Sequence, residues 1–135
     1  MRFLLDTNII TEVAKLRPNV RVLNWLLEHE MASGIPSVAV AERYQGAPNA
    51  PKEQRVRWLA EVDHFIREFG ETVIPIDAEA AKTWGEYVSR PALKQKAGSY
   101  PDTQIAAIAL SRGLTVVTRN TKDFPEVPVL NPFED

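Results

Sequence analysis

The stretch "PDTQIAAIALSRGLTVVT", residues 101–118, joins a helical pattern to a strand pattern across one glycine. It begins with Pro-Asp, which is typical of a first helical turn, and Arg112 and Gly113 are typical of a helix end. The run "LTVVT" that follows, residues 114–118, suits a short strand that is buried on both faces. A helix that passes directly into a buried strand favours an α/β protein, provided that the rest of the chain alternates in the same way.

The rest of the chain does alternate. Short apolar runs occur at "RFLL" (2–5), "ETVIPI" (71–76), "PVLN" (128–131) and, more weakly, "SGIPS" (33–37). Amphipathic helical stripes lie between them, made of Val22, Leu23, Leu26 and Leu27, then Val56, Leu59, Val62, Ile66 and Phe69, then Ala81, Trp84 and Val88. Right-handed crossovers between such strands predict a three-layer α/β/α domain with a mainly parallel sheet of four or five strands.

Composition limits the classes of function. A chain of 135 residues is long enough for a single domain, predicted to span 1–135, with one substantial core. Its 16 basic and 18 acidic residues give a net charge of -2, so charge alone does not hold nucleic acid. The absence of cysteine excludes disulfides and thiolate zinc sites, and no apolar run approaches transmembrane length. We therefore expect a soluble cytoplasmic protein with no membrane partner.

Four acidic residues fall at the edge that strand C-termini and the following helix N-termini share, where ligands bind to parallel sheets. Asp6 ends the first apolar run, Glu42 lies in the helical segment "VAVAERYQG", Asp102 opens the alanine-rich helix, and Asp123 follows "LTVVTRN". Each residue alone has an ordinary explanation, as a helix cap, a solvated helix residue or a turn residue. Their convergence on one edge predicts a site in which these four residues are catalytic and bind metal.

Converging carboxylates need a nearby cation to stabilise them. Two unit charges of the same sign about 4 Å apart repel by roughly 4 kcal/mol at an effective dielectric near 20. No cysteine is present, and His29 and His64 fall in ordinary helical patterns. An all-oxygen ligand set suits Mg²⁺ or Mn²⁺, which prefer phosphate oxygens as further ligands. The sequence therefore predicts phosphoryl-transfer chemistry on a phosphate ester.

Neighbouring polar side chains are predicted to support the acids. Thr7 and Asn8 follow Asp6 directly, where they can bond to it, to water or to substrate, or serve only as caps. Thr118 and Asn120 lie between the fourth predicted strand and Asp123, where they can orient the acids.

Three cations are candidates for contact with substrate phosphates because they lie next to these positions, namely Arg43, Arg119 and Lys122. Charged residues in loops are often only solvated, so this signal is weak. Glu12, further along the first helix, is either a site residue or half of a surface ion pair.

The motifs "FLLDTNIITE", "VAVAERYQG", "PDTQIAAIALSRGLTVVTRNTKDF" and "VPVLNPFED" together resemble the PIN-domain ribonucleases, in particular the VapC and FitB toxins of toxin–antitoxin pairs. The resemblance covers nearly the whole chain. It implies a compact PIN-like α/β/α fold and a Mg²⁺- or Mn²⁺-dependent endoribonuclease. It also implies a homodimer that is neutralised by a small antitoxin protein, which binds DNA as a complex with the toxin.

Carried over residue by residue, the family's acids match Asp6, Glu42 and Asp102. The fourth acid falls within "TRNTKDF", where members place it at the position of either Asn120 or Asp123. Here Asp123 is the expected acid and Asn120 a neutral orienting residue. The segment "GSYP" before Asp102 departs from the small residues often found there, which leaves the shape of the substrate groove open.

The resulting hypothesis is that the four acids bind one or two Mg²⁺ ions, which activate water for attack on an RNA phosphodiester. One alternative is a metal-dependent phosphatase of the haloacid-dehalogenase type, but that chemistry needs an aspartate where this chain has Asn8. Another is a catalytically silent module that binds nucleic acid or a partner. A dinucleotide-binding site is excluded because no Gly-x-Gly-x-x-Gly follows a strand.

Overall fold

The central sheet is parallel throughout and has five strands. The computed structural model describes residues 1–69, 72–93 and 99–134. The strands are β1 (Phe3–Leu5), β2 (Ser33–Pro36), β3 (Val73–Ile74), β4 (Thr115–Val117) and β5 (Val129–Leu130). Their order in the sheet is β3-β2-β1-β4-β5. The predicted strands are confirmed, including the weaker candidate at 33–37, although residue 71 of the predicted third strand lies outside the described residues.

Helices occupy both faces of this sheet. They are α1 (Thr7–Val13), α2 (Val20–His29), α3 (Ser37–Gly46), α4 (Lys52–Phe69), α5 (Ala78–Val88) and α6 (Tyr100–Arg112). In β1, Leu4 packs into one hydrophobic core, whereas Phe3 and Leu5 pack into the other. Because successive strand side chains point to opposite faces, this split shows that both faces of the sheet are covered. The predicted three-layer α/β/α architecture is confirmed.

Residues 101–118 fold into the helix and strand that their sequence predicts. Ser99 caps α6 and forms a reciprocal capping box with Asp102, and Pro101 lies in the first turn. Gly113 ends the helix with φ at 66°, a conformation in which any side chain would be strained. β4 begins two residues later, so α6 delivers the chain directly to the strand beside the central strand β1.

The predicted core stripe of α4 is partly wrong. Val62 is buried, but Val56 is 79% exposed and Leu59 is also exposed. The reason is that α4 packs mainly on α3 and the 47–49 turn, so its first half has no sheet beneath it. The side chain of Phe69 lies outside the described residues.

Two other stripes differ from prediction. In α5 the buried residues are Ala80 and Tyr87, whereas Ala81 and Val88 are exposed. Tyr87 can face the interior because its hydroxyl donates a hydrogen bond of 2.8 Å to the carbonyl of Pro125. In α2, Leu27 is exposed although Leu26 is buried. No helix in the described ranges is long and apolar enough to cross a membrane.

Candidate active site

An open cleft of about 480 Å³ lies at the carboxyl edge of the sheet. It is lined by Asp6, Thr7, Asn8, Thr11, Glu12, Lys15, Glu42, Ser99, Asp102, Arg119, Asn120, Asp123 and Phe133. The lining comes from α1 after β1, from α3 after β2, from the start of α6, and from the turn after β4. All four predicted acids therefore line one cavity, although they come from distant parts of the chain.

Asp6 lies at the base of the cleft and is only 6% exposed. It is the N-cap of α1, and its Oδ1 accepts a hydrogen bond of 2.7 Å from the backbone amide of Thr7. Its own amide donates to the carbonyl of Val117, which ties the end of β1 to the end of β4. Asp6 is thus a helix cap and also lines the cleft with the other three predicted acids.

The other carboxylate oxygen of Asp6 is held by two side chains. Thr118 donates its hydroxyl to Oδ2 at 2.8 Å, and Asn8 donates its amide to the same oxygen at 3.3 Å. The Thr118 oxygen in turn accepts from Asn8 and from the backbone amide of Asn120. Asn8 also accepts from the backbone amide of Arg119 through its Oδ1. Asp6 is therefore fixed by one side chain from α1 and one from the end of β4.

The electrostatic state of Asp6 is unusual. Its pKa is raised to about 6, mainly because burial removes water from the carboxylate. The hydrogen bonds from Thr118 and Thr7 oppose this rise, whereas the negative charges of Asp102 and Glu42 add to it. The cleft thus holds an aspartate whose charged form is destabilised by its surroundings. A cation bound nearby would stabilise that charged form.

The remaining acids differ in how they are held. Glu42 accepts a hydrogen bond of 2.7 Å from the Thr7 hydroxyl, so α1 positions the acid that α3 supplies. Asp102 accepts from the amide of Ser99 at 3.2 Å, and burial raises its pKa, with the charge of Asp123 acting in the same direction. Asp123 lies in the short 3-10 turn Thr121–Asp123 that follows β4.

The donor set has the chemistry that a hard divalent cation prefers, because every nearby ligand atom is a carboxylate, hydroxyl or amide oxygen. Within the described ranges, however, no three His, Asp or Glu side chains are grouped closely enough to hold an ion as they stand. Mg²⁺ commonly keeps several waters and takes only one or two carboxylates. The residues therefore fit such an ion, with water or small rotations of the side chains completing its shell.

The three basic residues predicted to contact substrate lie in different places. Arg119 lines the cleft, and its guanidinium lies 4.6 Å from the centre of the Phe133 ring. Lys122 lines an adjacent cavity that shares Arg119 and Phe133 with the cleft. Arg43 is not among the residues that line the cleft, because its side chain is buried against the ring of Trp58.

Sequence reasoning missed several residues of the cleft. Thr11 and Lys15 follow Thr7 at intervals of four, so a helical face drawn through Thr7 would have found them. Ser99 was findable as the first residue of the pattern Ser-x-x-Asp. Phe133 carries no local signal, because only the path of the chain after β5 brings it to the cleft.

Glu12, for which two explanations stood open, forms the predicted ion pair but is itself buried, and its role in the site stays a prediction. It lines the cleft, and its Oε1 pairs with Lys15 at 2.9 Å. Its Oε2 accepts a hydrogen bond of 2.9 Å from the backbone amide of Asn19, the N-cap of α2. These bonds lower the pKa of Glu12, with the Lys15 bond the largest cause.

The fold and the cleft define a class, namely a three-layer α/β/α protein with an acidic site at the carboxyl edge of a parallel sheet. A family model described as the PIN domain matches residues 3–130. The chain belongs to the PIN-domain family, as the resemblance of its motifs predicted.

Relatives within this family cover nearly the whole chain. Toxin FitB of Neisseria gonorrhoeae is 33% identical over 141 residues, which cover 98% of this chain and 99% of that protein. The tRNA(fMet)-specific endonuclease VapC of Shigella flexneri is 34% identical over 128 residues, which cover 94% of this chain and 92% of that protein. The solved structure of DNA-bound VapBC from Salmonella typhimurium is similar with a TM-score of 0.85 and 29% identity, covering 98% of each chain.

Proposed function

We propose that this protein is a divalent-metal-dependent endoribonuclease that acts as the toxin of a toxin–antitoxin pair. The observation that carries the proposal is the cleft itself, where Asp6, Glu42, Asp102 and Asp123 line one cavity. The relatives named as a toxin and as a tRNA endonuclease support both halves of the proposal.

The acids are the residues that would hold Mg²⁺ or Mn²⁺. The chemistry supplied by such an ion, when bound, is neutralisation of phosphate charge and activation of water for attack on phosphorus. Asp6 suits this role because its raised pKa reflects a carboxylate that burial and like charges have destabilised. Asp102 has a raised pKa for the same leading reason.

The polar neighbours of the acids have positioning roles. Thr118 and Asn8 fix one oxygen of Asp6, and Thr7 fixes one oxygen of Glu42. Each lost hydrogen bond would free a carboxylate to rotate, and small errors of position are costly in catalysis. Asn8 is bound to Asp6 and Thr118, which suits an orienting amide and not the proton donor that a phosphatase of the haloacid-dehalogenase type requires.

Substrate phosphates would meet Arg119, which lines the cleft beside the acids and is exposed. A planar guanidinium binds phosphate oxygens in pairs and adds orientation as well as charge. Asn120 lies next to it, where its side chain completes the polar wall of the cleft.

The test is cleavage of total cellular RNA with added Mg²⁺ or Mn²⁺, compared with EDTA. Asp6→Asn and Asp102→Asn are expected to abolish cleavage, since each removes a carboxylate from the cleft. Glu28→Gln, an exposed acid on α2, is the matched control and is expected to retain full activity. Full activity in EDTA or in either aspartate variant would contradict the proposal.

Regulation by an antitoxin is part of the proposal. The solved relative is a complex of two proteins bound to DNA, and an acidic cleft is suited to an arginine supplied by a partner. Expression of this chain alone in the cytoplasm is expected to arrest cell growth. Co-expression of the adjacent gene's product is expected to relieve the arrest. Normal growth with abundant folded protein would contradict a toxin role. The homodimer stays a prediction, which sedimentation of the purified chain would test.

A second candidate function is a metal-binding or partner-binding module without catalysis. The observation that favours it is that the described acids do not by themselves form a group of three around one point. Calorimetric binding of Mn²⁺ without cleavage of any RNA would favour this candidate over the nuclease.

A further inference from the structure

A second cavity, of about 330 Å³, opens beside the acidic cleft. It is lined by Thr11, Ala14, Lys15, Leu16, Arg43, Gln54, Arg57, Trp58 and Glu61. We call it the basic pocket. Thr11 and Lys15 line both the basic pocket and the cleft, so the two cavities adjoin along the end of α1.

Arg43 is a buried cation in the wall of this pocket. It is 7% exposed, and its guanidinium lies 4.5 Å from the centre of the Trp58 ring. The one hydrogen bond of its guanidinium in the described part of the chain is a long one, 3.4 Å from Nη1 to the hydroxyl of Thr11. Burial lowers the pKa of Arg43, and the charge of Glu61 opposes this without forming an ion pair with Arg43 in the described ranges, so the buried charge is only partly compensated.

No carboxylate of the described ranges forms an ion pair with Arg43. Glu61, in the same wall, is paired at 3.1 Å with Arg57. Lys15 is paired with Glu12, which lines the cleft and not the pocket. The pocket therefore presents Arg43, Arg57 and Lys15 against one carboxylate, which is an environment for an anion.

The far walls of the cleft show a related arrangement. A further cavity contains Arg119 and Lys122 and shares Arg119, Asn120 and Phe133 with the cleft. The cleft thus adjoins two cation-bearing cavities through different residues. A chain of phosphates that leaves the acids through either cavity would meet positive charge, which offsets its repulsion from the cleft.

We propose that the basic pocket binds a phosphate group of the RNA strand, on one side of the phosphodiester that lies in the acidic cleft. The proposal rests on the proposed nuclease function and adds a substrate-binding subsite to it. Continuity with the cleft through Thr11 and Lys15 favours the same RNA strand over the acidic side chain of a protein partner. Arg57, which is exposed and whose one ion pair within the described residues is with Glu61, is the cation best placed to exchange that partner for phosphate.

The test measures RNA binding without cleavage. Labelled polyuridylate is titrated, in EDTA, with the full chain carrying Asp6→Asn, and binding is followed by fluorescence anisotropy. Adding Arg57→Gln is expected to raise the dissociation constant about two- to fivefold, the range for one exposed charge pair. It should also lower the slope of log affinity against log salt by about 0.7, the value for one phosphate contact on a single strand.

Glu61→Gln provides the opposing variant, because it removes the one anion of the pocket. It is expected to tighten RNA binding about two- to fivefold, which a structural disturbance would not do. Arg67→Gln, on the exposed face of the same helix, is the matched control and should change neither quantity. Circular dichroism checks that each variant is folded.

The outcomes separate the two proposals. RNA binding that responds to Arg57 and Glu61 in opposite directions supports the subsite, even if the wild-type chain cleaves no RNA and the nuclease proposal fails. Cleavage by the wild type with RNA affinity unaffected by either substitution overturns the subsite alone. Binding of polyglutamate that is lost in Arg57→Gln, with RNA affinity unaffected, would assign the pocket to a protein partner and also overturn it.

Discussion

Asp6 lowers the stability of the folded protein and is also a proposed metal ligand. It caps a helix, yet it is buried among like charges, and its pKa of about 6 lies above the usual 3.8. Between these two values the folded state binds its proton more tightly than the unfolded state does. Stability is therefore lost as the pH rises from about 4 to about 6, since the folded protein must then carry a poorly solvated charge.

This argument predicts that Asp6→Asn stabilises the metal-free protein at pH 8. The pKa shift corresponds to about 3 kcal/mol, and losing one acceptor for both Thr118 and Asn8 returns about 2 kcal/mol, which leaves a gain on the order of 1 kcal/mol. The gain should vanish below about pH 4, where the native carboxyl is protonated. Urea unfolding in EDTA at both pH values measures it, with the exposed Glu28→Gln as control. A variant that is less stable than the wild type at pH 8 would contradict the account of Asp6.

Thr118 is predicted to be important because its hydroxyl joins three groups. It donates to Asp6 and accepts from Asn8 and from the amide of Asn120. Thr118→Val keeps the shape but removes all three hydrogen bonds and leaves the amide of Asn120 without this acceptor, so it should lower the free energy of unfolding by about 1–3 kcal/mol. It should also raise the pKa of Asp6 further, because the Thr118 hydrogen bond lowers it.

Thr118→Ser is the matched control for this network. It keeps the hydroxyl and removes one methyl group, so most of the stability and of the nuclease activity should return. Thermal unfolding and RNA cleavage are measured on both variants. Equal losses in the valine and serine variants would show that packing of the methyl group, and not the hydrogen bonds, matters at this position.

The acids were predictable at the residue scale because each follows a recognisable strand or opens a recognisable helix. Asp6 directly follows "RFLL", and Asp102 follows a serine that caps its helix. The location of Arg43 was not predictable, because it depends on a tryptophan fifteen residues later that covers its guanidinium. Because Arg43 follows Glu42 directly in α3, its side chain leaves the helix about 100° away from that of Glu42 and does not line the cleft.

At the scale of elements, the contact between α3 and α4 depends on a glycine. A Cβ atom at Gly46 would lie 2.7 Å from Cζ2 of Trp58. The ring has little freedom to move away, because its Nε1 donates to the carbonyl of Arg43 at 2.9 Å and its face is covered by the Arg43 guanidinium.

Gly46→Ala is therefore expected to destabilise the protein by about 1–3 kcal/mol through overpacking. Gly85→Ala in α5 is the control, since a Cβ there meets nothing within 4 Å. It should stabilise the helix by about 0.5–1 kcal/mol, because alanine loses less conformational freedom than glycine. Urea unfolding of both variants measures the difference, and changes of the same sign would refute this view of the α3–α4 contact.

Elements were predicted more accurately at their ends than along their faces. The capping residues of α6 are chemically specific and marked both ends of that helix. The buried face of α4 was not readable from spacing, because a helix whose first half extends beyond the sheet leaves Val56 in solvent. The buried face of α5 was misread because Tyr87, which has a polar hydroxyl, faces the core through its bond to Pro125.

At the scale of the whole molecule, the parallel sheet is what makes a site out of separate residues. With β1 at its centre between β2 and β4, the chain turns at one edge after each of these strands. That edge receives Asp6 from β1, Glu42 from the helix after β2, and Asp123 from the turn after β4. Alternation of helix and strand in the sequence was enough to predict this convergence.

The sequence could not predict how closely the acids group around an ion. Strand order and helix starts fix the positions of these residues only to within several ångströms. Side-chain rotations decide the rest, and in the described ranges no three acids are closed around one point. The central claim is therefore that the cleft acids act together as ligands once a divalent cation is present.

Isothermal titration calorimetry with Mn²⁺ tests this claim most directly, using the purified chain at pH 8 and the Asp102→Asn and Glu28→Gln variants. Asp102 is chosen because it reaches the cleft from α6, far along the chain from Asp6. The account predicts that the wild type and Glu28→Gln bind Mn²⁺ alike and that Asp102→Asn binds it at least about tenfold more weakly. Equal Mn²⁺ affinity in all three proteins, or no binding by the wild type, would contradict it.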